Sequence, residues 1–124
     1  MLIVEAVKFE LSTSPCPVFL LGDLNSPVTG TAYQTIAASM HDLRHTCTST
    51  YGHYHTFTGF EGREEDLSRI DHIFGNFGGG WTGAIYAVEE NHFEDAIWLS
   101  DHRLVIADVF IGKDLKPEEK KESD

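Results

Sequence analysis

Arg69-Ile70-Asp71-His72-Ile73-Phe74 alternates with a period of two. On an extended segment Ile70, His72 and Phe74 share one face, while Asp71 and Ile73 share the other. The pattern predicts a strand with a carboxylate set among apolar neighbours. Such a carboxylate is costly to bury unless it is paired or hydrogen-bonded. Its ordinary partners would be Arg69 or water; a group brought from elsewhere in the chain would be the functional alternative.

Two other segments offer such groups. Upstream, residues 17–21 (PVFLL) are an apolar run bounded by Pro and Gly, which reads as a buried strand ending at Gly22-Asp23-Leu24-Asn25. Asp23 and Asn25 are two residues apart and would point to the same side if extended. Gly, Asp and Asn also favour turns, so the tetrapeptide alone reads equally as a turn. Downstream, Ser100-Asp101-His102 precedes a final strand over residues 102–110. Side chains of consecutive extended residues diverge, so Asp101 is badly placed to orient the ring of His102. The carboxylate that serves His102 should come from elsewhere, and Asp71 is the natural candidate. That leaves Asp101 for a metal ion or a metal-bound water.

The rest of the chain frames these segments. Residues 2–11 carry an amphipathic helix pattern, and residues 32–40 form a second helix after the turn residues Asn25-Ser26-Pro27. Residues 42–66 read as a long polar loop with a short strand near Thr56-Phe57-Thr58, residues 75–80 as a turn, 82–88 as a strand and 91–98 as a loop. Residues 113–124 have almost nothing to bury and are expected to be a disordered charged tail, leaving residues 1–112 as one folded unit.

Net charge is −11, and outside the tail only Lys8, Arg44, Arg63, Arg69 and Arg103 are basic. Proteins that grip duplex nucleic acid usually present a basic face, so a duplex-DNA grip is not expected. Clustered carboxylates suit a hard divalent cation, although most surface acids only solubilise. No apolar run is long enough to span a membrane, and the first residues do not read as a signal peptide. Cys16 and Cys47 lack zinc-type spacing, and the sequence leaves a disulfide between them open. His53 and His55 would share one side of a strand, a spacing that tempts a metal reading, but a polar substrate loop explains them as well.

Taken jointly and in order, these segments resemble the endonuclease/exonuclease/phosphatase (DNase I-like) superfamily. Gly22-Asp23-Leu24-Asn25 looks like its GD[FL]N motif. Arg69 to Phe74 looks like its RIDYIF motif, with His72 where Tyr is usual. Ser100-Asp101-His102-Arg103-Leu104-Val105 looks like SDHxPV, with Leu104 in place of Pro. Thr56-Phe57 is similar to the "TF" pair of the substrate loop.

The resemblance implies an α/β (α+β) fold: half of a four-layer α/β/β/α sandwich, with a mostly antiparallel sheet and flanking helices. It implies a metal-dependent phosphoesterase, a hydrolase cleaving phosphodiesters or phosphomonoesters. Asp23, Asn25, Asp71 and His102 would be catalytic; Asp101, Asp23 and Asn25 would hold Mg²⁺ or Mn²⁺; His55, Thr56 and Phe57 would touch substrate. Small phosphoesters, lipids and single-stranded RNA all stay open as substrates. A whole family domain is about twice this length and takes its principal metal ligand, a Glu, from the other half. The chain is therefore expected to represent the carboxy-terminal half, weak or inactive alone, with a bare apolar sheet face that favours self-association. The alternative is a non-catalytic piece with a binding or partner-dependent role. A start inside the domain would also leave the compartment unread.

Overall fold

The computed structural model describes residues 2–13, 16–94 and 97–112. Helix α1 (Leu2–Thr13) leads to β1 (Phe19–Asp23), α2 (Thr31–Ala37), β2 (Met40–Asp42), the single turn α3 (Leu43–Thr46) and β3 (Ser49–Gly52). Strands β4 (Asp71–Asn76) and β5 (Trp81–Val88), the small pair β6 (His92–Phe93) and β7 (Ile97–Trp98), and β8 (Val105–Ile111) complete it. One sheet has the order β1-β4-β2 and is antiparallel throughout. The other has the order β3-β5-β8, with β3 parallel and β8 antiparallel to β5.

The alternation in β4 sets the layers. Phe74 turns to the helices, where it packs with Val7, Tyr33, Ile36 and Met40 and with Leu20 of β1. Ile73 turns the other way and joins Phe19 against Trp81, Tyr86 and Val88 and the inner face of β8, Val105, Ala107 and Val109. The fold is thus mixed α/β with mostly antiparallel strands, layered helices on sheet on sheet. No helix among the described residues is long and apolar enough to cross a membrane.

Several sequence expectations shift. The expected single sheet with one bare face is replaced by two stacked sheets built from this chain, because β5 and β8 cover the face that Ile73 presents. Apolar exposure moves outward instead: Ile106 and Phe110 of β8 are 37% and 49% exposed. Helix α2 stops at Ala37 rather than running to Met40, because Met40 to Asp42 pair with Asn76 to Phe74 of β4. Strand β4 continues through Gly75 and Asn76, which sequence assigned to a turn. Gly75 is required there because the ring of Trp81 lies where its Cβ would stand. The 42–66 loop holds α3, β3 and a 3₁₀ turn (Glu64–Asp66), and the 91–98 loop holds the β6–β7 pair. Thr56-Phe57-Thr58 is no strand; Phe57 makes single bridges to Ser68 and His102. Cys16 and Cys47 are thiols. The expected tail, residues 113–124, lies outside the described residues.

One buried ion pair ties the segment before β4 to β2. Arg69 donates from both terminal nitrogens to the two carboxylate oxygens of Asp42, each at 2.9 Å, with both side chains almost fully buried. Tyr33 donates to the same carboxylate at 2.6 Å and the Arg44 amide at 3.0 Å. Burial alone would push the Asp42 carboxyl up, but the Arg69 and Tyr33 hydrogen bonds outweigh it and hold it below its usual value. Arg69 is therefore committed to Asp42, which removes it as the partner of Asp71.

Breaking such a pair leaves an uncompensated buried charge. Asp42→Ala should cost about 3–5 kcal/mol of unfolding free energy by urea titration. Because the Asp42 carboxyl is depressed on folding, its contribution is complete above its ordinary value of 3.8 and is lost as pH falls through the lower folded value. An unchanged urea midpoint in Asp42→Ala at neutral pH would contradict this role.

Candidate active site

The site begins with strand register. In the β1–β4 ladder Asp23 lies opposite Asp71, and Gly22 opposite His72. By alternation both carboxylates project from the face that carries Phe19 and Ile73, near the edge of the inter-sheet core. Two like charges directly opposite each other on one face repel. The third segment supplies the compensating group: His102 Nδ1 donates to Asp71 Oδ2 at 2.8 Å. Its Nε2 lies 3.8 Å from Asp23 Oδ2 and 4.0 Å from Asp101 Oδ1. A carboxylate only accepts, so Asp71 fixes the Nδ1–H tautomer and turns Nε2 toward the other two acids.

These carboxylates tune the ring. Burial opposes its protonation, but the hydrogen bond it donates to Asp71 and then the charges of Asp71, Asp101 and Asp23 prevail and raise its pKa above the usual imidazole value.

Asn25 enters by a route that the sequence reading did not foresee. It sits at φ +50, and its amide donates to Asp23 Oδ1 at 2.7 Å. This is an Asx-type turn rather than an extended pair. Asp23 and Asn25 nevertheless line the same cleft, of about 470 Å³, together with Phe57, Ser68, Ile70 and His102. Glu65 and Asp66 of the 3₁₀ turn line its far wall, and sequence gave no signal for them.

The expected substrate residues divide. Phe57 lines the cleft, with its ring 5.1 Å from that of His102 in an edge-on contact. Thr56 does not reach it: the residue is fully buried, and its hydroxyl accepts from the Ile70 and Asp71 amides at 3.1 Å each. Thr56 thus braces the backbone of Asp71 from beneath. His55 is also absent from the cleft lining; its ring packs on Tyr54 and its carbonyl accepts from Arg103 Nη1 at 3.0 Å. His53 pairs with Glu90 at 3.0 Å, and neither His53 nor His55 joins the group of three or more converging ligand atoms found among the described residues.

Of the expected metal ligands, Asp23 and Asp101 both flank the Nε2 edge of His102. Among the described residues, the candidate ligand atoms that converge within 4.8 Å belong to Asp23, Asp71 and His102. Asp71 and His102 are already bonded to each other, so the carboxylates left to a hard cation are Asp23, 46% exposed, and the neighbouring Asp101, 40% exposed. Oxygen donors of this kind fit Mg²⁺ or Mn²⁺ rather than a soft metal.

Solved structures share this architecture. An endonuclease/exonuclease/phosphatase from Bacteroides vulgatus superposes with a TM-score of 0.74 at 25% identity, covering 88% of this chain and 42% of that one. A mannosyl-6-phosphatase from Bacteroides thetaiotaomicron VPI-5482 gives 0.75 at 25% identity, covering 89% and 43%. A family protein from Bacteroides thetaiotaomicron gives 0.74 at 26%, covering 87% and 41%. The fold is that of endonuclease/exonuclease/phosphatase structures. The chain spans about two-fifths of the length of these structures, in keeping with a partial domain. No family model matches the sequence, and no curated protein matches it.

The His102–Asp71 pair can be tested by titration. Asp71→Asn should lower the pKa of His102, followed by the ring-proton shifts in two-dimensional NMR. In the wild type the protonated ring stabilises the fold fully below its unfolded value of 6.5, and that contribution is lost as pH rises through the raised folded value. Asp71→Asn should flatten that dependence; an unmoved titration midpoint would refute the pairing.

Proposed function

We propose that this chain carries the proton-handling side of a phosphoester hydrolase site. The observation that supports it most directly is the 2.8 Å His102–Asp71 bond, with Asp23 facing the opposite ring nitrogen at 3.8 Å. In this reading His102, whose protonated form Asp71 favours, donates from Nε2 to a phosphate oxygen as negative charge develops there. Asp23 accepts the proton of the attacking water, and its own position is held by the amide of Asn25. The Asn25 side chain donates to a second phosphate oxygen, and Phe57 shields one wall of the cleft from bulk water.

Asp23, Asp101 and the side-chain carbonyl oxygen of Asn25 are the oxygen donors that would hold a divalent cation. Such a cation, when bound, neutralises phosphoryl charge and polarises the P–O bond. Two exposed carboxylates and one amide are few ligands for a hard cation, so it should be held weakly, and turnover by the 124-residue chain should be slow. The superfamily spans phosphatases and nucleases. The cleft lining contains no Lys or Arg among the described residues, which favours a small phosphoester over a polyanionic strand. One structural relative is a mannosyl-6-phosphatase, which agrees with that preference.

Two measurements check the proposal. Calorimetric titration with Mn²⁺ should show weak binding that Asp101→Ala weakens further. With p-nitrophenyl phosphate and Mg²⁺, the slow rate should fall about 100-fold in His102→Ala, the scale of a lost general acid. A rate indifferent to His102 would overturn the mechanism, and robust turnover abolished by His102→Ala would overturn the claim of weakness.

A further inference from the structure

Asn91 lies outside every motif, yet it is only 4% exposed and sits under the Ser100-Asp101-His102 segment. Its side-chain nitrogen donates to the Thr58 hydroxyl at 2.8 Å and to the Ser100 carbonyl at 2.9 Å. Thr58 is fully buried; its amide donates to the Asp101 carbonyl at 2.9 Å, and its hydroxyl, besides donating to the Gly59 carbonyl at 2.8 Å, reaches the same Asp101 carbonyl at 3.3 Å. The two residues together therefore hold consecutive carbonyls directly before His102. The next contacts are fixed as well, since the His102 amide donates to Ser100 Oγ at 3.1 Å and the Arg103 amide to the Thr56 carbonyl at 2.7 Å.

Asn91 is itself anchored. It opens the β6–β7 pair, its carbonyl accepts from the Leu99 amide at 3.0 Å, and its amide donates to Glu90 Oε2 at 3.2 Å. A short polar side chain buried on such an anchor transmits a fixed backbone position to what it grips, because the buried Thr58 hydroxyl has no water to turn to.

We propose that Asn91, acting through Thr58, is a positioning residue for His102. It sets the backbone from which the ring reaches Asp71 on one side and Asp23 on the other. The inference rests on the reading of His102–Asp71 as the working pair. A residue that merely staples the β6–β7 pair would alter stability and leave that bond unchanged.

The bonded Nδ1 proton of His102, observed by NMR in the 124-residue chain and assigned by its absence in Asp71→Asn, separates these roles. The Trp81 indole proton, which donates to the Asn76 carbonyl at 3.1 Å, reports an intact core in the same spectrum. In Asn91→Ala and in the near-isosteric Thr58→Val the His102 signal should be lost to water exchange while the Trp81 signal stays. Thr58→Ser, which keeps the hydroxyl, should restore it. Should Asn91→Ala fail to fold, Thr58→Val and Thr58→Ser decide alone. Persistence of the His102 signal in folded Thr58→Val, or its loss in Thr58→Ser, would overturn the proposal. Absence of the signal in the wild type would remove the proposed catalytic pair itself, and this inference with it.

Discussion

The pairing of Asp23 with Asp71 across β1 and β4 is the constraint on which the site depends. Strand register is quantised: a slip of one residue turns every side chain to the other face. Here such a slip would carry Phe74 out of the helix-side core and both carboxylates away from His102. The apolar residues therefore enforce the register, since Phe74 and Leu20 can be buried only on one face and Phe19 and Ile73 only on the other. The carboxylates inherit their positions from that packing. Their mutual repulsion is tolerated because the imidazole of His102 lies beside both.

A second layer of interactions keeps Asp71 where the register puts it. Arg69, two residues earlier, is locked by the buried carboxylate of Asp42, and the hydroxyl of Thr56 accepts from the amides of Ile70 and Asp71. The segment 55–58 works as a strap between the second and third motifs. Thr56 and Thr58 turn inward to bind backbone, and Phe57 turns outward to the cleft. The strap is too short to pair as a strand, yet it holds residues far apart in sequence by a handful of side-chain and backbone bonds.

This division explains what was legible in the sequence. The period-two pattern of residues 70–74 announced both the strand and its two faces. The break of an apolar run at Gly22 marked where Asp23 stands. The divergence of neighbouring side chains pointed from His102 past Asp101 to Asp71, and those atoms do meet at 2.8 Å. What stayed hidden depends on partners that only tertiary structure supplies. Met40 has a helical pattern locally, but β4 recruits it into a strand. Asp42 looked like a loop acid until Arg69 reached it. Thr56 carried the same two-letter signal as Phe57, and only burial separates the brace from the cleft wall. Asn91 gave no signal, because an asparagine under a loop has no periodicity to betray it.

The charge balance around His102 shapes what the site can do. Three carboxylates surround a single imidazole, so the cluster stays anionic even when the ring is protonated. A phosphate approaching such a cluster is repelled unless positive charge is added or the anion meets the ring edge first. The asymmetry of the ring offers that edge. Nδ1 is saturated by the more buried Asp71, while Nε2 is directed at the more exposed Asp23 and Asp101. The permanent bond lies on the sheltered side, and the replaceable contacts lie where solvent, cation or ester can reach. A histidine oriented in this way can exchange a carboxylate neighbour for a phosphate oxygen without losing the partner that sets its tautomer, which is the property a reversible proton donor requires.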